Sequence, residues 1–346
     1  MTTDTLPANL VFDGHNDVLS RIWKAGGDAD ARFLTGEEGG HIDIPRARKG
    51  GLGGGLCAIY VPSDRVEDAE GNLPTPPRAE AADITAQMAG LLMRLERESD
   101  GAVTLCRDVA EIRAAMARGS FAAVMHIEGV EAFGPDLDLL HLLHAVGLRS
   151  IGPVWSRPNI FAHGVPFRFP SSPDIGPGLT AAGKDLVRAC NALRVMVDLS
   201  HMNDAGFWDV AAISNAPLVA SHSNAHAVCA HSRNATDRQL DAIRDTGGLI
   251  GINFGVGFLN PNGERDVALP LEVMVRHVDY IVERIGIDHV ALGSDFDGTT
   301  IPAAIGDAAG LPALIAALEA GGYRGDDLAK VTHGNWLRVL AATWGA

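Results

Sequence analysis

Cysteine is scarce in this sequence, and its distribution argues against cysteine-based structures. The four cysteines among 346 residues, at positions 57, 106, 190 and 229, form no C-x-x-C pair. This spacing suggests neither a disulfide framework nor a thiolate zinc site, and it predicts free thiols in a reducing compartment. The first ten residues lack the basic start and apolar run of a secretory signal, and no run of 18 apolar residues occurs. The sequence therefore predicts a cytoplasmic protein with no membrane partner.

Positive charge is also in short supply. The chain has 28 Lys and Arg against 43 Asp and Glu, a formal net charge of -15. Because a surface that follows nucleic acid needs clustered Lys and Arg, this balance predicts no nucleic-acid partner and favours a small ligand. The sequence also lacks a G-x-S-x-G elbow, a P-loop and a G-x-G-x-x-G in the right context, so serine hydrolase, ATP and dinucleotide functions have no support.

Eight short apolar or β-branched runs alternate with amphipathic helical stretches. The runs are Leu10–Asp17, Leu56–Val61, Phe121–Glu128, Leu148–Trp155, Arg194–His201, Leu218–Ser223, Leu249–Phe254 and His289–Asp297. Eight parallel strands with helices between them predict an α/β protein with a closed (β/α)8 TIM barrel. No linker divides the chain, so residues 1–346 are predicted to form a single domain. Residues 1–9 would be an N-terminal extension, and the Pro-, Phe- and Gly-rich residues 156–178 a loop over the active site.

Five of the eight runs end in a side chain that binds metals or exchanges protons. His15 and Asp17 close the first run, Glu128 the third, His201 the fifth, His222 the sixth and Asp295 the eighth. In the first run, a strand's period of two would place His15 and Asp17 on one face. In a barrel, the carboxyl ends of the strands meet at one face, which predicts a single site.

This set of side chains is more than one zinc ion needs. Three histidines with two or three carboxylates exceed four ligands, so the sequence predicts two metal ions, with Glu128 as the candidate bridging ligand. Two ions polarise a carbonyl and suit hydrolysis of an amide or ester, as in a barrel of the metal-dependent hydrolase type. Arg233, just after the sixth run, is suited to hold a substrate carboxylate, and a loop salt bridge is the alternative.

At these residues the sequence resembles the membrane (renal) dipeptidase family, which are zinc peptidases with a (β/α)8 barrel and a binuclear site. The resemblance covers nearly the whole chain, through Asp13-Gly14-His15-Asn16-Asp17, Ile127-Glu128-Gly129, Val197-Asp198-Leu199-Ser200-His201, Ser221-His222-Ser223, His231-Ser232-Arg233-Asn234 and Gly293-Ser294-Asp295-Phe296-Asp297-Gly298. It implies that His15 and Asp17 hold one zinc, that His201 and His222 hold the other, and that Glu128 bridges them.

The resemblance also implies an activity and the roles of two further residues. The enzyme would be a metallo-dipeptidase that hydrolyses short peptides, L-Xaa-D-Xaa pairs included, through a hydroxide bridging two zinc ions. Asp295 would shuttle the proton, and Arg233 would bind the substrate carboxylate. The family further suggests a homodimer. The signal peptide and lipid anchor of animal members have no counterpart here, which favours a bacterial-type enzyme.

One residue departs from the family pattern. Trp155 stands where the family commonly has a histidine that contacts the scissile region. The loss of that donor predicts a narrowed or redirected substrate range, with Trp155 in the substrate-binding wall. His163, next to a glycine, is predicted to supply a replacement donor. Pro153 lies inside the same run and, having no N–H, predicts that the strand bends or ends early.

Two alternative functions stay open at this point. One is another binuclear barrel hydrolase acting on a lactone, cyclic amide or phosphoester, which the His15-Asn16-Asp17 motif and the absence of lysine in residues 148–155 disfavour. The other is a non-catalytic paralogue that keeps the metal, suggested only by Trp155.

Overall fold

The structure is a computed structural model, and it describes residues 6–63, 66–68 and 73–345. All of the strand pairs in this part of the chain are parallel. The strands are β1 (Val11–Asn16), β2 (Leu52–Tyr60), β3 (Val103–Leu105), β4 (Phe121–Glu128), β5 (Leu148–Gly152), β6 (Met196–Val197), β7 (Val219–Ala220), β8 (Leu249–Ile252) and β9 (Val290–Leu292).

Helices follow most of the strands and cover the outside of the sheet. They are α1 (Val18–Ala25), α2 (Ala29–Thr35), α3 (Ile44–Gly50), α4 (Arg78–Glu98), α5 (Val109–Ala117), α6 (Asp138–Val146), α7 (Ala181–Leu193), α8 (Asp204–Ile213), α9 (Asp237–Asp245), α10 (Val256–Leu259), α11 (Leu271–Ile285), α12 (Leu311–Ala320), α13 (Asp326–Ala329) and α14 (Asn335–Trp344). Local sequence sets several helix starts. Thr180 caps α7 by accepting from the Gly183 N–H, and Thr236 forms a capping box with Gln239 at α9.

The strands form a (β/α)8 barrel, as the sequence predicts. One sheet has the order β1-β2-β4-β5-β6, with the short β3 pairing with the start of β4, and the other has the order β7-β8-β9. Single bridges join the two sheets, from Asp198 to Val219 and from Asn16 to Phe296. Each junction also contains a buried carboxylate: Asp198 accepts the Ser221 N–H, and Asp13 accepts the Ser294 N–H. These contacts close the barrel.

Side chains alternate between the inside of the barrel and the helical layer, because successive strand residues point to opposite faces. Leu56 and Val124 belong to a compact buried cluster, whereas their neighbours Cys57 and Met125 pack in the larger outer core. Seven barrel strands contribute to the compact cluster, through Phe12, Leu56, Val124, Met196, Val219, Leu249 and Ala291. Trp336 of α14 fills the same cluster and donates its indole N–H to Leu292 O at 2.8 Å. This packed floor leaves the carboxyl ends of the strands for function.

Several of the predicted strands extend further toward the C-terminus than the strands in the structure. Strand β5 stops at Gly152, because Pro153 cannot donate to the ladder. The first predicted strand is also too long: Asp17 lies outside β1 and is the residue at the start of α1, with φ -102° and ψ 23°. Its position beside His15 therefore comes from the strand-to-helix turn and not from strand periodicity.

The long segment 156–178 contains no helix or extended strand, and its one bridge joins Gly164 to Met202. Phe167 from this segment lines the cavity over the strand ends. At the start of the described chain, Ala8 accepts a hydrogen bond from Thr332 Oγ1 at 2.8 Å. Within the described residues, no helix combines the length and the apolar character that a membrane crossing requires.

Candidate metal centre

A bulge in β1 aims His15 into the barrel. Asp13 pairs with Gly55 and Asn16 with Cys57, so β1 has one more residue than β2 between these two pairs. Bulges of this kind turn a side chain away from its regular face and are common beside active sites. Gly14 is required here, because a Cβ at this position would collide with the Trp336 ring and the Ser221 carbonyl.

The carboxylate of Glu128 lies at the centre of the three predicted histidine ligands. Its Oε1 atom is 2.9 Å from His201 Nε2, 3.4 Å from His222 Nε2 and 3.7 Å from His15 Nε2. On the far side, Asp17 Oδ2 is 3.6 Å from His15 Nε2. All five predicted metal ligands therefore meet at one point, and each of them is buried.

His201 and His222 face each other through their Nε2 atoms, which are 3.0 Å apart. The Nδ1 atom of each ring is 2.7 Å from a serine hydroxyl, Ser156 for His201 and Ser221 for His222. Burial lowers the pKa of both histidines well below 6.5, so both rings are neutral near pH 7. Neutral imidazoles held this way are suited to donate a lone pair to a metal.

His15 and Glu128 are electrostatically linked. Burial lowers the pKa of His15, but the charges of Glu128 and Asp17 outweigh burial and raise this pKa to about 10. Burial raises the pKa of Glu128 well above its usual range, and the carboxylates of Asp17 and Asp295 raise it further. Such a buried carboxylate cluster needs positive charge beside it to stay ionised.

These residues fit a divalent cation. Both ring nitrogens of the fully buried His15 lack a hydrogen-bond partner, which is unusual for buried polar atoms. Ligand atoms of His15, Glu128 and His222 lie within 4.8 Å of one another, and so do those of His15, Asp17 and Asp295. Imidazole nitrogens mixed with carboxylate oxygens are the donor set of zinc and similar transition metals.

Asp295 lies beside this cluster, three residues after β9. Its Oδ2 accepts from Asn253 Nδ2 at 2.9 Å, and its N–H donates to His15 O at 2.9 Å. Burial raises the pKa of Asp295 to about 6. The residue has φ 58°, and His201 has φ 66°, so both occupy the left-handed region that L-residues avoid. Backbone strain of this kind concentrates at functional sites.

Gly298 shows how closely the backbone approaches these acids. A Cβ at Gly298 would collide with the carboxylate oxygens of Asp17 and Asp295. A side chain at this position would therefore displace these two acids from the cluster of predicted metal ligands.

A cavity of about 920 Å³ opens over the cluster. Asp17, Glu128, His201 and Asp295 form its floor. One wall is aromatic: the Trp155 ring is 5.1 Å from Tyr60, 5.5 Å from Phe167 and 5.8 Å from the His201 ring between centroids. Trp155 thus lies beside the predicted metal ligands, although β5 ends three residues earlier.

Arg233 is buried and does not stand at the rim of the cavity. Its Nη2 donates to His222 O at 3.1 Å, its Nη1 lies 3.4 Å from Ser223 Oγ, and its Nε has no partner. Burial lowers the pKa of Arg233 to about 10, while Asp295 and Glu128 act in the opposite direction. The guanidinium is therefore tied to the backbone of His222, and it lies 5.6 Å from the ring of Phe258, which lines the cavity.

His163 is not among the residues that line this cavity in the described part of the chain. Its carbonyl oxygen accepts from the Asn203 N–H at 3.3 Å, next to the bridge between Gly164 and Met202. The structure therefore gives the predicted replacement donor no support. The loop folds back at this point, but onto the residues that precede α8.

Sequence reasoning missed several residues behind the ligands. Asp198 accepts the Ser221 hydroxyl, and Asn253 holds Asp295. The signal for Asp198 was present in the D-x-S-H spacing before His201, but the carboxylate was not assigned a role. A buried ion pair between Arg157 Nε and Glu131 Oε1, 2.8 Å long, was also not foreseen.

Comparison with known proteins identifies the family. The family model for membrane dipeptidase, peptidase family M19, matches residues 3–344. A crystal structure described as the dipeptidase AC, a metallo peptidase of family M19, is 50% identical, covers 98% of this chain and 100% of its own, and has a TM-score of 0.95. A metallo peptidase from Rhodobacter sphaeroides, liganded with a phosphinate mimic of the dipeptide L-Ala-D-Ala, is 49% identical over 97% of this chain and 99% of its own, with a TM-score of 0.93.

A curated relative extends this similarity. An uncharacterized protein in the pqqA 5' region of Klebsiella pneumoniae is 50% identical over 262 residues, 76% of this chain and 97% of its own. The matches to the family model and to the two peptidase structures confirm the family, the barrel and the dipeptidase function predicted from the sequence. The chain belongs to the membrane dipeptidase family of metallopeptidases, peptidase family M19.

Proposed function

We propose that this chain hydrolyses dipeptides with two divalent cations, zinc in the resting enzyme, held around Glu128. His15 and Asp17 would hold one ion, His201 and His222 the other, and Glu128 would bridge them. The observation that carries this proposal is the position of Glu128 Oε1 between the Nε2 atoms of the three histidines. When bound, the ions supply Lewis acidity that polarises the scissile carbonyl and lowers the pKa of water.

The protein's own groups bind the substrate and move the proton. We propose that Asp295 accepts a proton from the attacking water at its Oδ1 atom and passes it to the leaving amine, while Asn253 holds Oδ2. Arg233 would attract the substrate carboxylate through its unpartnered Nε–H. The aromatic wall of Tyr60, Trp155 and Phe167 would exclude water and contact a substrate side chain.

The substrate class follows from the cavity and from one relative. A cavity of about 920 Å³ accommodates a dipeptide. The Rhodobacter sphaeroides relative binds a mimic of L-Ala-D-Ala, and this supports acceptance of a D-residue at the second position. We propose that the chain cleaves both L,L and L,D dipeptides.

Metal analysis and a dipeptide screen test this function. Purified protein should contain close to two divalent ions per chain and should cleave members of an L,L and L,D panel. Glu128→Gln should lose both occupancy and activity, whereas Asp185→Asn, at an exposed position of α7, is the matched control and should lose neither. One ion per chain with a fully active Glu128→Gln enzyme would exclude the bridged pair.

Substrate analogues test the role of Arg233. Arg233→Met should weaken binding of a free-acid dipeptide strongly and of its C-terminal amide little, because only the free acid loses a charge-assisted contact. Equal losses for the two compounds would assign Arg233 to packing around His222.

A further inference from the structure

The two histidines that face each other at the metal centre are supported differently. Ser156 holds His201 and Ser221 holds His222, each with a hydroxyl 2.7 Å from Nδ1. Behind Ser221 stands the buried carboxylate of Asp198, which accepts the Ser221 hydroxyl at Oδ2. In the described part of the chain, no hydrogen bond joins the Ser156 side chain to an acidic residue.

Asp198 is held rigidly in the position that this contact requires. Its Oδ1 accepts from Ser221 N at 2.8 Å and from Ser200 N at 3.0 Å. The hydroxyl of Ser200 in turn accepts from His222 N at 3.0 Å. The carboxylate therefore crosses the junction between β6 and β7 and fixes the backbone on both sides of it.

The hydrogen-bond donors and acceptors from Asp198 through Ser221 determine which tautomer the His222 ring adopts. A serine hydroxyl has one proton, and the carboxylate of Asp198 is its nearest and strongest acceptor. Ser221 Oγ must then accept from His222, so the proton of that ring lies on Nδ1. The lone pair of Nε2 is left free, and it points at His201 Nε2 and Glu128 Oε1.

Direct contact does not explain the influence of Asp198. Its Oδ2 is 4.0 Å from His222 Nδ1, beyond hydrogen-bond distance, so the link between this carboxylate and the imidazole ring runs through Ser221. A carboxylate behind a histidine ligand orients the ring, fixes its tautomer and makes the ligating nitrogen more basic. Here a hydroxyl is inserted between the two groups.

We propose that Asp198, acting through Ser221, is a positioning residue that fixes the tautomer of His222 and strengthens it as a metal ligand. This inference rests on the proposed function in one respect, since it requires an ion at His222. It makes the two histidines unequal: the ion held by His222 depends on a buried carboxylate that stands behind the ligand.

Metal titration of single variants tests the proposal. Chelator-stripped wild type, Ser221→Ala, Asp198→Asn and Ser156→Ala would each be titrated with Zn²⁺ by calorimetry, and the melting temperature of each metal-free protein would be measured. Ser221→Ala removes the hydroxyl but keeps the backbone N–H that ties Asp198 across the junction. Asp198→Asn keeps the size and removes the charge.

We expect Ser221→Ala and Asp198→Asn to weaken one of the two ions about 10- to 100-fold, the usual effect of losing such a partner. Ser156→Ala, which removes a hydroxyl with no acid behind it, should weaken binding less, by no more than a few-fold. The metal-free melting temperature of Ser221→Ala should stay close to that of wild type. A downfield imidazole N–H proton resonance, assigned to His222, should disappear in Ser221→Ala and persist in Ser156→Ala.

Three results would overturn the proposal. Ser221→Ala could bind both ions as wild type does, Ser156→Ala could lose as much affinity as Ser221→Ala, or Asp198→Asn could bind both ions as wild type does. The last result would limit Asp198 to joining β6 and β7. Failure of the proposed function is distinguishable, because in that case wild type itself would not bind two ions.

Discussion

Asp295, the proposed proton-transfer residue, has an environment that suits this role. Burial holds its pKa near 6, between the ordinary value of a carboxyl and neutral pH, and general acid–base groups work best when their pKa lies near the operating pH. Asn253 fixes one oxygen of the carboxylate. The other lies against Gly298 and the Asp17 carboxylate, at the floor of the cavity.

Asp295→Asn should therefore separate proton transfer from metal binding. The amide keeps the shape of the side chain but cannot accept a proton, so kcat should fall by roughly 10² or more. The metal content should remain that of wild type, as measured by elemental analysis of the same preparation. Unchanged turnover with full occupancy would remove Asp295 from the mechanism.

At the scale of elements, one buried ion pair connects the loops that carry the aromatic wall. Arg157 follows β5 and contacts Glu131 after β4, and its Nη2 donates to Val61 O after β2 at 2.7 Å. Its guanidinium lies 5.4 Å from the Tyr60 ring and 5.2 Å from the Trp155 ring. Arg157 thus holds three barrel loops and both aromatic side chains together.

Removal of the Arg157 charge should lower the stability of the folded protein. Arg157→Met leaves Glu131 buried without a partner, a change that lowers the free energy of unfolding by about 3–5 kcal/mol. Urea unfolding measures this loss, and Arg157→Met/Glu131→Gln should recover part of it. The exposed pair of Arg188 and Asp185 offers a control, because Arg188→Met should change stability little. Additive losses in the double variant would contradict a coupled pair.

Helix α11 carries a buried histidine whose two nitrogens are both used. His277 Nε2 donates to Leu259 O at 2.9 Å, and its Nδ1 accepts from Ala225 N at 3.2 Å. Burial lowers the pKa of His277 to about 4. Between this value and 6.5, the unfolded chain therefore binds more protons than the folded one. The stability that this group contributes is complete above pH 6.5 and is lost as the pH falls toward 4.

This predicts a specific acid sensitivity. Between pH 7 and pH 5, the free energy of unfolding of wild type should fall by on the order of 2 kcal/mol more than that of His277→Gln, which cannot titrate. Urea unfolding of both proteins in chelator measures the difference without interference from metal release. Parallel pH profiles for the two proteins would show that His277 does not titrate in this range.

At the scale of the whole molecule, the candidate metal centre draws on both sheets of the barrel. Its proposed ligands lie in or just after β1, β4 and β6 in one sheet and β7 in the other, and in the described chain each junction between the sheets has a single bridge and a few hydrogen bonds. Bound ions should therefore stabilise the entire fold, by about 2.7 kcal/mol when the free metal is 100-fold above its Kd.

Chelation should accordingly lower the melting temperature of the wild type by several degrees. Calorimetry or circular dichroism in the presence and absence of a chelator measures this shift. Glu128→Gln, which lacks the proposed bridging carboxylate, should show a much smaller shift because it should have little metal to lose. Equal shifts in both proteins would mean that the chelator acts elsewhere.

The sequence by itself determined the kinds of candidate ligands and the face on which they gather. His15, Glu128, His201 and His222 each follow an apolar run, and parallel strands in a barrel bring their carboxyl ends to one face. The order of these motifs was sufficient to predict the family. Each candidate ligand lies within a few residues of its strand, so local sequence was enough to place it.

Only the tertiary structure decided which atoms meet and what supports them. The bulge that aims His15, the burial of Arg233 and the contact from Asp198 through Ser221 to His222 all depend on residues far apart in the chain. Asp13 and Ser294, for example, are 281 positions apart and close the barrel with a hydrogen bond of 2.6 Å. Sequence periodicity describes neighbours along one strand, whereas these contacts depend on how strands pair and where they stagger.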